Sequence, residues 1–182
     1  MANLILIGGG QRSGKSRFAL QLAERVLGMR VFIATAEAHD AEMQARILRH
    51  QRERADRFIT EECPRALPDA ILRHADASVI VIDCLSLWLS NLLGLGLANE
   101  AILDAIDRLI VATQQARAEV LLVTNEVGMG LVSLNELGRR FQDLSGWAHQ
   151  RLSSTASEIY LATLGCVLRI KPNPIELIVP VT

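Results

Sequence analysis

One stretch near the start of the chain has the residue types and spacing of a phosphate-binding loop. A glycine is followed by four residues and then by Gly-Lys-Ser, between an apolar run and a helical pattern. Glycines let backbone N–H groups turn toward a phosphate, and the N-terminus of the following helix adds positive potential. We expect the ammonium of Lys15 to act in catalysis at the β- and γ-phosphates and the hydroxyl of Ser16 to bind Mg²⁺. A glycine-rich turn is the alternative, and the strand and helix on either side argue against it. The nucleotide-binding residues predicted here are Gly9, Gly10, Gln11, Arg12, Ser13, Gly14, Lys15 and Ser16.

An aspartate follows a second apolar run. Asp83 comes directly after Val79-Ile80-Val81-Ile82, an uninterrupted run typical of a central parallel strand buried on both faces. Its position is that of the acidic residue that holds Mg²⁺, directly or through water, in phosphate-loop enzymes. The alternative is that Asp83 caps the helix that follows.

A histidine among arginines is the third candidate. On a helix, Met43, Ile47 and His50 would share one stripe, so His50 could simply border a core-facing surface. Guanidinium groups, however, bind phosphate oxygens and disfavour the imidazolium, which lowers the pKa of a histidine and leaves a neutral, nucleophilic ring. The residues themselves leave both interpretations open. The arginines around His50 are Arg46, Arg49, Arg52 and Arg54.

Alternating strand and helix patterns predict how these residues are positioned. Strands are expected at residues 4–7, 31–34, 58–60, 79–82, 120–123, 159–162 and 167–170, and helices at 16–27, 40–54, 67–74, 85–93, 100–117 and 134–152. This order predicts one α/β domain over residues 1–182, with a mostly parallel sheet covered by helices on both faces. Ligands bind beyond the carboxyl ends of such strands. Four places qualify: the phosphate loop, Ala34-Thr35-Ala36, Asp83, and Asn125-Glu126, where Gly128 and Gly130 could equally serve only a sharp turn.

Composition excludes several functional classes. The chain has 182 residues, is 50% hydrophobic and has a formal charge of −1, which gives no reason to expect nucleic-acid binding. Seventeen of its nineteen basic residues are arginine, so Lys15 is one of two lysines, with Lys171. The cysteines, Cys63, Cys84 and Cys166, have no paired spacing, which indicates reduced thiols rather than disulfides or zinc. With no apolar run long enough for a bilayer and no room for a signal peptide before the first strand, we expect a cytoplasmic protein.

Five segments together resemble one enzyme family over nearly the whole chain. They are Gly9-Gly10-Gln11-Arg12-Ser13-Gly14-Lys15-Ser16, Ile33-Ala34-Thr35-Ala36, Asp40-Ala41-Glu42-Met43-Gln44-Ala45-Arg46-Ile47-Leu48-Arg49-His50, Thr60-Glu61-Glu62-Cys63 and Val123-Thr124-Asn125-Glu126-Val127-Gly128-Met129-Gly130. Because of these segments, the chain resembles the bifunctional adenosylcobinamide kinases / adenosylcobinamide-phosphate guanylyltransferases of cobalamin biosynthesis. The phosphate loop alone fits many families, whereas the combination is specific.

The resemblance implies two reactions. The γ-phosphate of ATP or GTP passes to the aminopropanol hydroxyl of adenosylcobinamide; GTP then guanylylates a histidine, and adenosylcobinamide phosphate takes up the GMP to give adenosylcobinamide-GDP. It also implies a RecA-like phosphate-loop fold and a trimer that holds the corrin between subunits. By matching positions, His50 is the guanylylated residue, and Asp83 stands where relatives often have glutamate. The further residues implied at the nucleotide are Ala34, Thr35, Ala36, Gln51, Arg52, Glu53, Arg54, Glu62 and Asp83.

Two other classes stay open from the residues alone. The first is a phosphate-loop kinase of a different small molecule, which would give His50 no reason to become labelled. The second is a RecA-like nucleotide-binding protein without transfer chemistry, which would show no dependence on an acceptor.

Overall fold

Parallel strands alternate with helices along the chain. The computed structural model describes residues 3–37, 44 and 55–180, with 55 and 176–180 by their backbone alone. The strands are β1 (Leu4–Gly9), β2 (Arg30–Ala34), β3 (Ile59–Glu62), β4 (Val79–Asp83), β5 (Glu119–Asn125), β6 (Glu158–Thr163), β7 (Cys166–Lys171) and β8 (Glu176–Pro180). The described helices are α1 (Lys15–Glu24), α2 (Leu67–Arg73), α3 (Leu85–Gly94), α4 (Asn99–Gln115) and α5 (Glu136–Thr155), with a short 3₁₀ helix at Ala55–Arg57.

The eight strands form one sheet in the order β3-β2-β4-β5-β1-β6-β7-β8. All pairs from β3 to β6 are parallel, and β7 and β8 add antiparallel strands at one edge. The predicted α/β class with a mostly parallel sheet is therefore confirmed. The parallel arrangement places the carboxyl ends of six strands at the same edge of the sheet.

Alternating side chains of the sheet build two apolar cores. Leu6, Ile33 and Ile82 point to the face covered by α2–α5, whereas Ile7 and Val81 point to the face packed against α1. The central strands are buried on both faces, which is why they consist of continuous apolar runs rather than alternating patterns. The two cores together hold the strand ends, and hence the candidate site, in fixed positions.

Several boundaries differ from the sequence prediction. Helix α1 ends at Glu24 rather than near Leu27, because its last turn tightens: the amides of Arg25 and Val26 donate to the carbonyls three residues before them. Strand β3 begins at Ile59, since Phe58 is instead buried beside Phe32. Strand β8 was not predicted. It follows Pro172 and Pro174, and prolines are typical of turns and loops.

The predicted helix over residues 40–54 lies outside the described residues except for Gln44, which is helical. Among the described residues, no helix combines the length and apolar character that crossing a membrane would need.

Candidate nucleotide-binding and catalytic site

The predicted site residues that the structure describes come together at the carboxyl edge of the sheet. Ala34 pairs in register with Glu62 on one side and with Asp83 on the other. Gly9, at the start of the phosphate loop, pairs with Asn125. This is the edge where parallel α/β sheets bind ligands.

The phosphate loop has a backbone that requires glycine at two of its positions, Gly9 and Gly14. A Cβ at Gly9 would lie 2.5 Å from the carbonyl oxygen of Ala162, and Gly14 has φ 93°, the left-handed region. Gly14 is the N-cap of α1, and its carbonyl accepts from the amide of Phe18 at 3.0 Å. The loop therefore leads straight into a helix N-terminus, the arrangement that binds phosphate groups.

Two side chains inside the loop are suited to a phosphate. The ammonium of Lys15, only 7% exposed, donates to the carbonyl of Gly10 at 2.9 Å. The hydroxyl of Ser13 is buried and has no hydrogen-bond partner among the described residues. An unpaired buried hydroxyl is costly, and a phosphate oxygen would satisfy it.

Asp83 and Ser16 are a fitting donor pair for Mg²⁺. Both present hard oxygen atoms, and Mg²⁺ bound with a nucleotide takes its other ligands from phosphates and water. The N-cap of α3 is Cys84, with no side-chain cap, so the alternative role of Asp83 as that cap is not what the structure shows. The pKa of the Cys84 thiol rises to about 12 because of burial and then Asp83, and the charge of Lys15 partly opposes this rise. The charges of Asp83 and Lys15 thus both influence the pKa of the Cys84 thiol, in opposite directions. Among the described residues, no group of three or more His, Cys, Asp or Glu side chains is placed to hold a metal ion.

Thr35 joins the ends of β2 and β4. Its side chain is fully buried; the hydroxyl donates to the Cys84 carbonyl and accepts from the Cys84 amide, both at 2.7 Å. The carbonyl of Thr35 accepts from Asn91 at 2.8 Å. Of the segment Ala34-Thr35-Ala36, Thr35 therefore has its hydroxyl committed to the fold, whereas Ala34 and Ala36 are partly exposed.

Glu62 is exposed at the end of β3, beside a fixed ion-pair group. Glu61 contacts Arg73, and its other carboxylate oxygen lies 2.7 Å from Nε2 of His74. Burial alone would raise the pKa of Glu61, but the hydrogen bonds from Arg73 and His74 outweigh it and lower the pKa. His74 is thus engaged in holding β3 against α2.

Sequence reasoning treated Glu126 as a weak candidate and did not connect it with His149. In the structure the Glu126 amide donates to the carbonyl of Gly9 at 3.0 Å, and a carboxylate oxygen lies 3.6 Å from Nδ1 of His149. His149 Nε2 lies 2.8 Å from the hydroxyl of Thr124. No local pattern could have found this group, because α5 brings His149 from more than twenty residues further along the chain.

The remaining predicted residues, His50, Gln51, Arg52, Glu53 and Arg54, lie outside the described residues. Their assignments stay predictions from the sequence.

Comparison with known proteins gives matches that extend over almost the whole chain. Residues 5–170 match the model of the family described as cobinamide kinase / cobinamide phosphate guanyltransferase. The bifunctional adenosylcobalamin biosynthesis protein CobU of Salmonella typhimurium is 41% identical, over 92% of this chain and 99% of that protein. The bifunctional adenosylcobalamin biosynthesis protein CobP of Pseudomonas aeruginosa is 38% identical, over 96% of this chain and 100% of that protein. CobU of Escherichia coli is 37% identical, over 92% and 99% respectively.

A solved structure supports the fold. The RadB recombinase superposes with a TM-score of 0.51 at 14% identity, covering 92% of this chain and 79% of its own. At that identity the likeness shows the fold alone, and it confirms the expected RecA-like phosphate-loop architecture.

Proposed function

This chain belongs to the cobinamide kinase / cobinamide phosphate guanyltransferase family, and from that premise we propose how it uses its site. It is an enzyme of cobalamin biosynthesis with kinase and guanylyltransferase activity. In the first reaction, adenosylcobinamide receives the γ-phosphate of ATP or GTP on its aminopropanol hydroxyl. In the second, adenosylcobinamide phosphate receives GMP from GTP.

The phosphate loop serves the kinase reaction. Phosphoryl transfer depends mainly on positioning and on neutralising charge. The amides at the start of α1 and the hydroxyl of Ser13 would hold the phosphates, and Lys15 would leave the Gly10 carbonyl for the β- and γ-phosphates. Ser16 and Asp83 would hold Mg²⁺, which supplies further positive charge to the phosphate oxygens.

The guanylyl transfer proceeds through His50. A ring nitrogen of neutral His50 attacks the α-phosphorus of GTP, pyrophosphate leaves with the electrons of the broken P–O bond, and the cobinamide phosphate then displaces the histidine. Ala34, Ala36, Glu62 and the segment 51–54 would contact the nucleotide. The support is the family match over residues 5–170, a range that includes these positions, together with the shared register of Ala34, Glu62 and Asp83.

One observation carries this proposal: a phosphate loop with a buried lysine and an unpaired buried serine opens at the sheet edge where Asp83 ends its strand. The test supplies the purified protein with Mg²⁺, adenosylcobinamide and ATP or GTP, and follows corrinoid products by chromatography and mass spectrometry. Adenosylcobinamide phosphate should form with ATP or with GTP, whereas adenosylcobinamide-GDP should form only when GTP is supplied. Nucleotide binding without a corrinoid product would instead favour a RecA-like binding protein, and transfer only to other acceptors would favour a different kinase.

The assembly is proposed to be a cytoplasmic trimer with the corrin between subunits. Beside the candidate site, the segment between β5 and α5 exposes an unusual number of apolar side chains, and such surfaces commonly mark contacts with a partner or ligand. A mass of three chains in light scattering would support the trimer. The exposed side chains are Met129, Leu131, Val132 and Leu134, and Leu137 in the first turn of α5 adds a fifth.

A further inference from the structure

We propose that Glu126 is the general base of the phosphoryl-transfer reaction and that His149 positions its carboxylate. This assignment rests on the proposed kinase function. It goes beyond it by naming the group that takes the proton of the acceptor hydroxyl.

The location of Glu126 is the first argument. Strands β5 and β1 are neighbours, Asn125 pairs with Gly9, and the Glu126 amide donates to the Gly9 carbonyl at 3.0 Å. Glu126 is thereby pinned to the first residue of the phosphate loop. Neighbouring strands lie about 4.8 Å apart. Glu62 is on β3, four strands from β1, so its backbone lies about 19 Å from the start of the phosphate loop. Asp83, two strands from β1, is already assigned to Mg²⁺.

The carboxylate of Glu126 is held in place. One oxygen accepts from the amide of Gly128 at 2.7 Å, and a Cβ at Gly128 would come within 3.0 Å of that oxygen. A side chain at Gly128 would therefore press on this carboxylate oxygen. The second oxygen lies 3.6 Å from His149 Nδ1, too far for a full hydrogen bond, and the side chain is 28% exposed. Glu126 is therefore oriented and still open to an incoming hydroxyl.

His149 supports Glu126 without neutralising it. Burial lowers the pKa of His149, although the charge of Glu126 opposes this, and the shift favours the neutral ring. When the hydroxyl of Thr124 donates to Nε2 at 2.8 Å, the ring proton lies on Nδ1, toward Glu126. Ser86 extends this series of hydrogen bonds, because its hydroxyl lies 3.3 Å from that of Thr124 and accepts from the Asn125 amide at 2.8 Å. At 3.6 Å an N–H on Nδ1 faces the Glu126 carboxylate without forming a hydrogen bond to it, so the contact favours the observed orientation and leaves the second oxygen available.

The proton balance of the step is simple. The acceptor hydroxyl oxygen forms a bond to the γ-phosphorus, its proton passes to Glu126, and the bond between the γ-phosphorus and the β–γ bridging oxygen breaks. The nucleoside diphosphate leaves with that electron pair. The guanylyl transfer needs no such base, because its acceptor is already an ionised phosphate.

The test compares two reactions of Glu126→Gln. Glutamine keeps an oxygen for the Gly128 amide but cannot take the proton. The kcat of adenosylcobinamide phosphorylation should fall by about 100-fold or more, with the KM for ATP changed by less than about threefold. Guanylyl transfer to supplied adenosylcobinamide phosphate should stay near the wild-type rate, which also shows that the variant is folded. Glu100→Gln, the same change at an exposed position of α4, is the matched control.

His149 variants test the positioning role. His149→Asn keeps an N–H donor near Nδ1, whereas His149→Leu has none. We expect phosphorylation kcat to fall in the order wild type, Asn, Leu, with KM nearly unchanged, and partial rescue by Asn is the readout that a purely structural role would not give.

The possible outcomes are distinct. Near-normal phosphorylation by Glu126→Gln, or equal losses in both reactions, would overturn the assignment of the base. Equal kcat in His149→Asn and His149→Leu would overturn the positioning role. A wild-type protein that does not phosphorylate adenosylcobinamide would contradict the proposed function itself.

Discussion

The hydroxyl of Thr35 makes both of its 2.7 Å hydrogen bonds to the backbone of one residue, Cys84, across the ends of two parallel strands. The side chain of Thr35 is fully buried, so water cannot readily replace its hydroxyl as a hydrogen-bond partner. Thr35→Val keeps the shape but leaves the buried N–H of Cys84 unpaired, while the Cys84 carbonyl keeps only the amide of Trp88, at 3.2 Å. We expect a loss of about 1–3 kcal/mol in the free energy of unfolding, measured with urea.

Thr35→Ser is the control for that change, because it keeps the hydroxyl and loses only a methyl group. It should retain most of the hydrogen-bond contribution. If Thr35→Val proved as stable as the wild type while Thr35→Ser did not, the methyl group rather than the hydroxyl would be what matters.

Lys15→Ala should abolish both reactions. A phosphate-directed charge of this kind commonly contributes several kcal/mol to transition-state stabilisation, on the order of 3–4. Steady-state rates of cobinamide phosphorylation and guanylyl transfer measure the effect. The natural control is Lys171→Ala, since that ammonium donates to the Ser153 carbonyl at 3.1 Å and lies on β7. A folded Lys15→Ala protein with normal turnover in either reaction would show that one loop does not serve both.

Asp83→Asn should raise the Mg²⁺ concentration needed for half-maximal activity much more than it weakens nucleotide binding without metal. The reason is that an amide oxygen is a poorer Mg²⁺ ligand than a carboxylate. Magnesium titrations of the two rates, with nucleotide binding in chelator beside them, make the comparison. An unchanged titration would assign Asp83 to another part of the nucleotide.

Stability should depend on pH through His149. Its pKa is lowered in the folded protein by burial, so below about pH 6.5 the unfolded chain binds a proton that the folded chain resists. The wild type should therefore lose more unfolding free energy than His149→Gln as the pH falls from about 7.5 to 5.5. Urea titrations of both proteins at the two pH values provide the measurement. A constant difference between them would mean that His149 is not held neutral.

The fold was largely predictable because its signals are local and strong. The apolar runs ending at Ile7, Ile82 and Val123 each became central strands, and the phosphate loop fell at the expected strand end. The antiparallel edge of the sheet was less predictable. Strand β8 follows Pro172 and Pro174 and pairs only with β7.

The site was only partly predictable for a different reason. The positions of Gly9, Ala34 and Asp83 follow from a general rule about strand ends, whereas the hydrogen bonds of Thr35 and the contact of Glu126 with His149 depend on tertiary packing. Nothing in the local sequence indicates that the hydroxyl of Thr35 binds the backbone of Cys84, which lies about fifty residues further along the chain.

The most direct test of the account is the identity of the residue that carries GMP. The protein is incubated with Mg²⁺ and GTP labelled in the α-phosphate, then denatured, and the labelled peptide is sequenced by mass spectrometry; His50→Asn is treated in parallel. A phosphoramidate survives alkali and is lost in acid. We expect a single GMP on His50 in the wild type and none in His50→Asn, which should still form adenosylcobinamide phosphate. GMP on His39, His74 or His149, or label that persists in His50→Asn, would contradict it.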